Sequence, residues 1–186
     1  PIQRSIMNLD KETGISMMKI NENLDEGPVC NQYLLEISEK MNSEELSEKL
    51  SLIAAEKILE TIDNIYDDNI KFRDQDHSKA TYAKKIQKSE GKINWDEKAD
   101  KIIGKINGLY PFPGAFFLFN GERHKILKAE KSYGQGEAGN VISDDFEICC
   151  GEGSIKVLTI QREGKRIQQI KEFLLGTRIK KGTIIT

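Results

Sequence analysis

The side chain with the clearest chemical potential is the carboxylate of Asp25. It lies in Asn21-Glu-Asn-Leu-Asp-Glu-Gly27, an acidic stretch that follows the short apolar run of Ile15, Met17, Met18 and Ile20. Asn, Asp and Gly suit bends, because they tolerate left-handed backbone or bond their own main chain. A carboxylate at the end of a strand can orient a protonated partner or move a proton through water; it can also do no more than cap its own turn. A second set of candidates is cationic. Lys84, Lys85 and Lys88 fall in one polar stretch, and Lys165 and Arg166 follow a strand-like run. Such residues neutralise phosphates, although a solvated lysine surface has the same composition.

Other reactive types do not combine. His77 and His124 are isolated in sequence, no Cys-x-x-Cys occurs, and Cys149 and Cys150 are adjacent, a poor geometry for bridging each other. With Cys30 the cysteines number three, which fits reduced thiols in a cytosolic-type protein and makes no zinc site. Gly134-Gln-Gly-Glu-Ala-Gly139 lacks a following helix with Lys-Ser/Thr and reads as a loop, not a phosphate cradle. The aromatic group of Tyr110, Phe112, Phe116, Phe117 and Phe119 straddles a proline-fixed bend. It reads as the packing of a small barrel rather than a base-stacking platform.

Periodicity supplies the elements that must position these groups. Ile2, Ile6 and Met7 fit the end of a helix, and Asp10–Gly14 fits a polar turn. Residues 15–20 and Pro28–Ser38 form two strands, an antiparallel pair joined by the Asp25 loop. Ser43 is the expected cap of a helix running to about Tyr66. Its apolar residues, Leu46, Leu50, Ile53, Ala54, Ile58, Leu59, Ile62 and Ile65, recur at helical spacing and are expected to pack in a core. A connector follows. Trp95–Ile106 reads as a helix ended by Asn107-Gly108. Asn120-Gly121 between apolar runs is a strong hairpin signal. Further short strands are expected at Val141-Ile142, Phe146–Cys150 and Ile155–Gln161, and a short helix at Ile167–Leu175, together suggesting a small barrel or sandwich.

With 186 residues the chain can form one large or two small domains without disulfide staples. No apolar run approaches the ~18 residues that span a bilayer, and 31% charged residues fit a globular chain. The overall charge of −2 hides a division. Residues 1–81 carry 9 Lys+Arg against 17 Asp+Glu, and residues 82–186 carry 19 against 13. A shift of that size predicts two domains facing different partners, with a phosphate-bearing partner for the basic half. The expected limits are residues 1–69, a linker at 70–90, and residues 91–186.

The order of motifs adds a resemblance. Pro1-Ile-Gln-Arg-Ser-Ile-Met7, Glu12-Thr-Gly-Ile-Ser-Met-Met18 and Leu24-Asp-Glu-Gly-Pro28 are followed by Ala80-Thr-Tyr-Ala-Lys-Lys-Ile86, Gly91-Lys-Ile-Asn-Trp95, Leu109-Tyr-Pro-Phe-Pro-Gly-Ala115, Ile126-Leu-Lys-Ala129, Gln161-Arg-Glu-Gly-Lys-Arg166 and Phe173-Leu-Leu-Gly176. In this order, across essentially the whole chain, they resemble the folate-dependent formyltransferase family. The second half is similar to its tRNA-directed members rather than to those that formylate sugars or release formate.

The resemblance implies an α/β fold: a truncated Rossmann-like formyltransferase domain followed by a mainly β, OB-like barrel that binds tRNA. It implies transfer of a formyl group from 10-formyltetrahydrofolate, with no metal, to the amino group of initiator methionyl-tRNA in the bacterial cytoplasm or an organellar matrix. It makes Asp25 the counterpart of the family's catalytic Asp, and places Lys84, Lys85, Lys88, Lys165 and Arg166 where the family lies along tRNA. The family's catalytic Asn and His precede its Pro-Ile-Gln motif, at which this sequence starts. A fragment inactive alone is therefore expected, with a half sheet that is frayed or buried against a second copy. The rival readings are a non-catalytic RNA-binding module, a sugar-amine formyltransferase and a 10-formyltetrahydrofolate hydrolase.

Overall fold

The computed structural model describes residues 1–186. Its first part is α1 (Ile2–Asn8), β1 (Glu12–Met18), β2 (Val29–Glu36) and α2 (Ser43–Tyr66). β1 and β2 form the expected antiparallel pair, with Ile15 opposite Tyr33 and a register shift at Met17/Met18 just before the Asp25 loop. The strand starts at Glu12, so Asp10–Gly14 is not a polar turn. Side chains alternate between exposed and half-buried along it, so a polar first half costs nothing on a sheet with one face in water. Gly14 is required there, because a Cβ would stand 2.3 Å from the Tyr33 carbonyl oxygen.

The cap of α2 is Asn42 rather than Ser43. Asn42 Oδ1 accepts from the Glu45 backbone N–H and Glu45 Oε2 from that of Asn42, both at 3.0 Å, a reciprocal capping box. Ser43 is thereby free to donate its hydroxyl to the Tyr110 carbonyl. The expected core stripe of α2 is only half a core stripe. Leu46 and Leu50 are buried with Ile6 and Met41, whereas Ile58, Leu59, Ile62 and Ile65 are exposed, Leu59 to 68%. Length explains this: a helix of 24 residues runs ~36 Å, and a strand of 7 only ~23 Å.

The second part comprises α3 (Ala99–Gly108), β3 (Ala115–Phe119), β4 (Glu122–Ser132), β5 (Glu147–Cys149), β6 (Ser154–Arg162), β7 (Ile167–Gln169) and α4 (Ile170–Gly176). The strands form a five-stranded antiparallel sheet ordered β3-β4-β6-β5, with β7 also on β6. The hairpin at Asn120-Gly121 has φ of 51° and 77° at its two central residues, as a type I′ turn demands. Two boundaries differ from expectation. Trp95–Lys98 is not helical, because the Trp95 and Glu97 carbonyls accept from Gly151 N–H at 2.8 and 3.0 Å. Ile167–Gln169 is extended, because the turn at Gly164 (φ 70°) returns it onto β6. The sheet and α3 enclose a core of 19 buried residues that includes Ile102, Ile106, Phe117, Ile126, Phe146 and Ile160. Phe116 and Phe117 are buried and Phe119 half-buried, as expected of packing, but Phe112 is exposed, with Lys125 Nζ 5.9 Å from its ring centre.

The two parts meet where α1 lies on α3. Gly104 and Gly108 form the contact face: a Cβ would stand 2.7 Å from Leu9 Cδ2 at the first and 2.9 Å from the Gln3 carbonyl oxygen at the second. Gln3 Nε2 donates to the Phe112 carbonyl at 3.0 Å and Asn107 Nδ2 to the Glu39 carbonyl at 3.2 Å. No helix is long and apolar enough to cross a membrane.

Candidate functional site

A cleft of ≈ 1840 Å³ opens between the β1–β2 turn and the connector, lined among others by Asp25, Gln75, His77, Lys84 and Lys85. Its first wall is the turn. Asn21 Oδ1 accepts from Asn23 N–H at 3.1 Å, and Asn23 Nδ2 donates to Glu26 Oε2 at 2.8 Å. Asp25 itself has φ 57°, a left-handed backbone that costs a non-glycine residue on the order of 1 kcal/mol. Gly27 permits the close return of the chain, since a Cβ would fall 1.7 Å from the Lys19 carbonyl oxygen. The Asp25 carboxylate faces solvent in the cleft and has no hydrogen-bond donor within the chain.

The second wall is the connector, and it is docked rather than loose. Val29 and Arg73 exchange backbone hydrogen bonds of 2.8 and 2.9 Å. Lys19 Nζ stands 4.1 Å over the Phe72 ring. Gln75 Nε2 donates to two carbonyls of the turn, Asp25 O at 2.8 Å and Gly27 O at 2.7 Å. Farther along, Arg4 of α1 donates Nε to the Lys84 carbonyl at 3.0 Å and Nη2 to the Lys85 carbonyl at 3.4 Å. The same guanidinium grips both oxygens of Glu90, at 2.6 and 3.0 Å. Arg4, with the Gln87 backbone N–H, holds the Glu90 carboxyl at about 2, far below the usual range, and Glu90 in turn raises Arg4. The main chain under Lys84 and Lys85 is thus fixed while their side chains are exposed.

The predicted site residues therefore fall into three groups. Asp25, Lys84 and Lys85 border one cleft. Lys88 opens the single-turn helix Lys88–Gly91 and is exposed. Lys165 and Arg166 line a separate hollow of ≈ 540 Å³ with Arg162, and Arg166 is paired with Glu172. Of the two histidines, His77 borders the large cleft. His124 is buried in the second part, its ring 5.3 Å from Phe117 and 5.6 Å from Phe173, and burial lowers its pKa. Burial also pushes the Cys150 thiol up to about 12. No cluster of three or more His, Cys, Asp or Glu side chains could hold a metal ion.

Sequence reasoning missed Arg4, Gln75 and Glu90. Apart from the Gln87 N–H that Glu90 accepts, their partners lie 48 to 86 positions away in the chain, and no local pattern announces a contact of that kind. Chemically, the arrangement offers an exposed carboxylate on a clamped turn with left-handed backbone, faced across a wide cleft by two exposed lysines whose main chain is fixed.

The chain has clear relatives. Residues 85–178 match the formyl transferase C-terminal domain family, and residues 1–62 match the formyl transferase family. The methionyl-tRNA formyltransferase of Pelagibacter ubique is 59% identical over 187 residues, covering 100% of this chain and 60% of that protein. The methionyl-tRNA formyltransferase of Thermodesulfovibrio yellowstonii is 41% identical over 184 residues, covering 98% of this chain and 59% of that protein. The chain thus spans about 60% of the length of the curated relatives it matches. Among solved structures, HypX from Aquifex aeolicus in complex with tetrahydrofolic acid superposes with a TM-score of 0.71 at 17% identity, over 100% of this chain and 36% of that one. The methionyl-tRNA formyltransferase from Clostridium thermocellum superposes with a TM-score of 0.55 at 21% identity, over 74% and 59%. These likenesses show the fold.

Proposed function

This chain belongs to the formyl transferase family, whose C-terminal domain it matches over residues 85–178, and from that premise we propose that it serves the transfer of a formyl group from 10-formyltetrahydrofolate to the amino group of initiator methionyl-tRNA. The observation that carries this reading is the 59% identity, over the whole chain, to a methionyl-tRNA formyltransferase. In this reading the amine nitrogen bonds to the formyl carbon as that carbon leaves the donor nitrogen. The amine gives up one proton and the donor nitrogen gains one. Asp25 supplies a carboxylate at the cleft wall to orient and hold the proton carrier. The cleft of ≈ 1840 Å³ admits a donor of folate size, since pockets for such ligands measure roughly 300–1,000 Å³.

The remaining parts of the reading follow the same division. Residues 1–69 act as the formyltransferase portion of a Rossmann-like domain, 70–90 as linker and 91–186 as an OB-like tRNA-binding domain. Lys84, Lys85, Lys88, Lys165 and Arg166 face tRNA phosphates, and their contacts position without reading sequence. The site of action is the bacterial cytoplasm. Self-association through the β1–β2 half sheet belongs to the same reading, and light scattering of the purified chain measures it.

The test is an acceptor panel. Protein carrying these residues within a complete formyltransferase is assayed with 10-formyltetrahydrofolate against methionyl-tRNA, a sugar amine and water. Transfer to methionyl-tRNA, abolished by Asp25→Asn, supports the reading. Formate release alone, sugar formylation or full activity of the Asp25→Asn protein overturns it.

A further inference from the structure

We infer that Gln75 is a positioning residue for Asp25, a strut by which the connector sets the geometry of the catalytic turn; this rests on the formyl-transfer reading above. The turn needs such a strut. Asp25 is held at φ 57°, a left-handed conformation that Asp tolerates but at an energetic cost, which outside contacts offset. Within the turn the side-chain bonds lie around Asn21, Asn23 and Glu26 and leave the Asp25 peptide itself unheld. The bonds to that peptide come from outside. Gln75 Nε2 reaches Asp25 O at 2.8 Å and Gly27 O at 2.7 Å, so one amide nitrogen fixes the carbonyls on both sides of Glu26.

Gln75 can do this only because its own backbone is anchored. Two residues earlier Arg73 is tied in both directions to Val29, the first residue of β2, and Phe72 lies under Lys19 at the end of β1. The connector is thus fastened to the two strands that flank the turn and projects a single donor pair onto it. Deeper sequence patterns do not produce this arrangement: Gln75 lies 50 residues from Asp25. Its side chain has no other hydrogen-bond partner in the structure, so holding the turn is the only polar work it does.

The inference is tested in a complete formyltransferase carrying these residues, with Gln75→Leu, which removes both donors, and Gln75→Glu, which keeps the shape and turns an acceptor toward two carbonyls. Turnover, KM for methionyl-tRNA and amide hydrogen exchange across residues 12–36 are read together. Loss of ordered placement of a reacting group costs roughly tenfold to a hundredfold in rate, and both variants are expected to show a fall in kcat of that size with KM for methionyl-tRNA unchanged. Exchange should quicken at residues 23–28 and stay slow in β1 and β2. Unchanged kcat with unchanged exchange overturns the inference. So does a fall in activity accompanied by faster exchange throughout both strands, the mark of a general structural role. Failure of the functional reading looks different: unaltered protein inactive toward methionyl-tRNA, or Asp25→Asn fully active, while the exchange data still decide whether Gln75 holds the turn.

Discussion

The two halves of the chain are stabilised by different means. The second encloses 19 buried residues within a five-stranded sheet and its helices. The first has a cluster of four buried hydrophobic residues, a two-stranded sheet and a helix whose far half is exposed. Two strands alone are marginal in water. Yet the first half carries the strained turn with the candidate catalytic carboxylate. It is braced from outside: by α3, by the Ser43 and Asn107 contacts, and by the connector through Gln75 and Arg4. The stable half and the connector act as scaffold for a site that its own half could not hold in place.

The sharpest way to break this comparison is in the larger core. Phe117 is fully buried against Trp95, Phe146 and His124. Phe117→Ala is expected to destabilise the protein by about 3–5 kcal/mol, seen as a lowered midpoint in thermal or denaturant unfolding, and to loosen the Asp25 turn only as a consequence. A smaller effect is expected at the joint. In Gly108→Ala the new methyl group would stand 2.9 Å from a backbone oxygen of α1, where overpacking costs about 1–3 kcal/mol. The diagnostic result is faster hydrogen exchange in α1 and the connector, with the sheet of the second half unchanged. Exchange that rises equally everywhere would show that the halves do not differ as described.

The smallest effect is one of pH, and it separates the halves by their windows. Burial lowers the pKa of His124 below its ordinary 6.5 in the folded protein. The unfolded chain then takes up a proton first, so stability is complete above 6.5 and declines as pH falls below it. Glu90 behaves likewise at lower pH, its folded value of about 2 lying under the ordinary 4.5. The contribution of the Arg4–Glu90 pair is present above 4.5 and is lost as pH falls toward 2. Acid titration followed by exchange should therefore weaken the second core first and release the connector at Lys84 and Lys85 later. The reverse order would contradict the assignment of these two groups.

Much of the fold was legible. The β1–β2 pair, the long helix ending at Tyr66, the Asn120-Gly121 hairpin and the burial of Phe117 all follow from local rules of period and turn chemistry. The boundaries at Trp95 and Ile167 differ because backbone pairing captured segments whose own pattern suited a helix: the distant Gly151 N–H at Trp95, and the preceding strand β6, reached through the Gly164 turn, at Ile167. The over-extended core of α2 failed for a related reason, since periodicity marks an apolar face but not the length of the surface that covers it.

The sequence by itself determined that Asp25 lies in a turn between two strands and which family the motifs resemble, because turn residues and ordered motifs are properties of neighbours along the chain. Only the tertiary structure decided how that aspartate is held. The donor is Gln75, the acceptors are the main-chain carbonyls of Asp25 and Gly27, and every residue has one of those. A hydrogen bond to a backbone oxygen leaves no mark on the identity of the residue that accepts it. The clamp on the Asp25 turn is therefore visible in space and silent in the sequence.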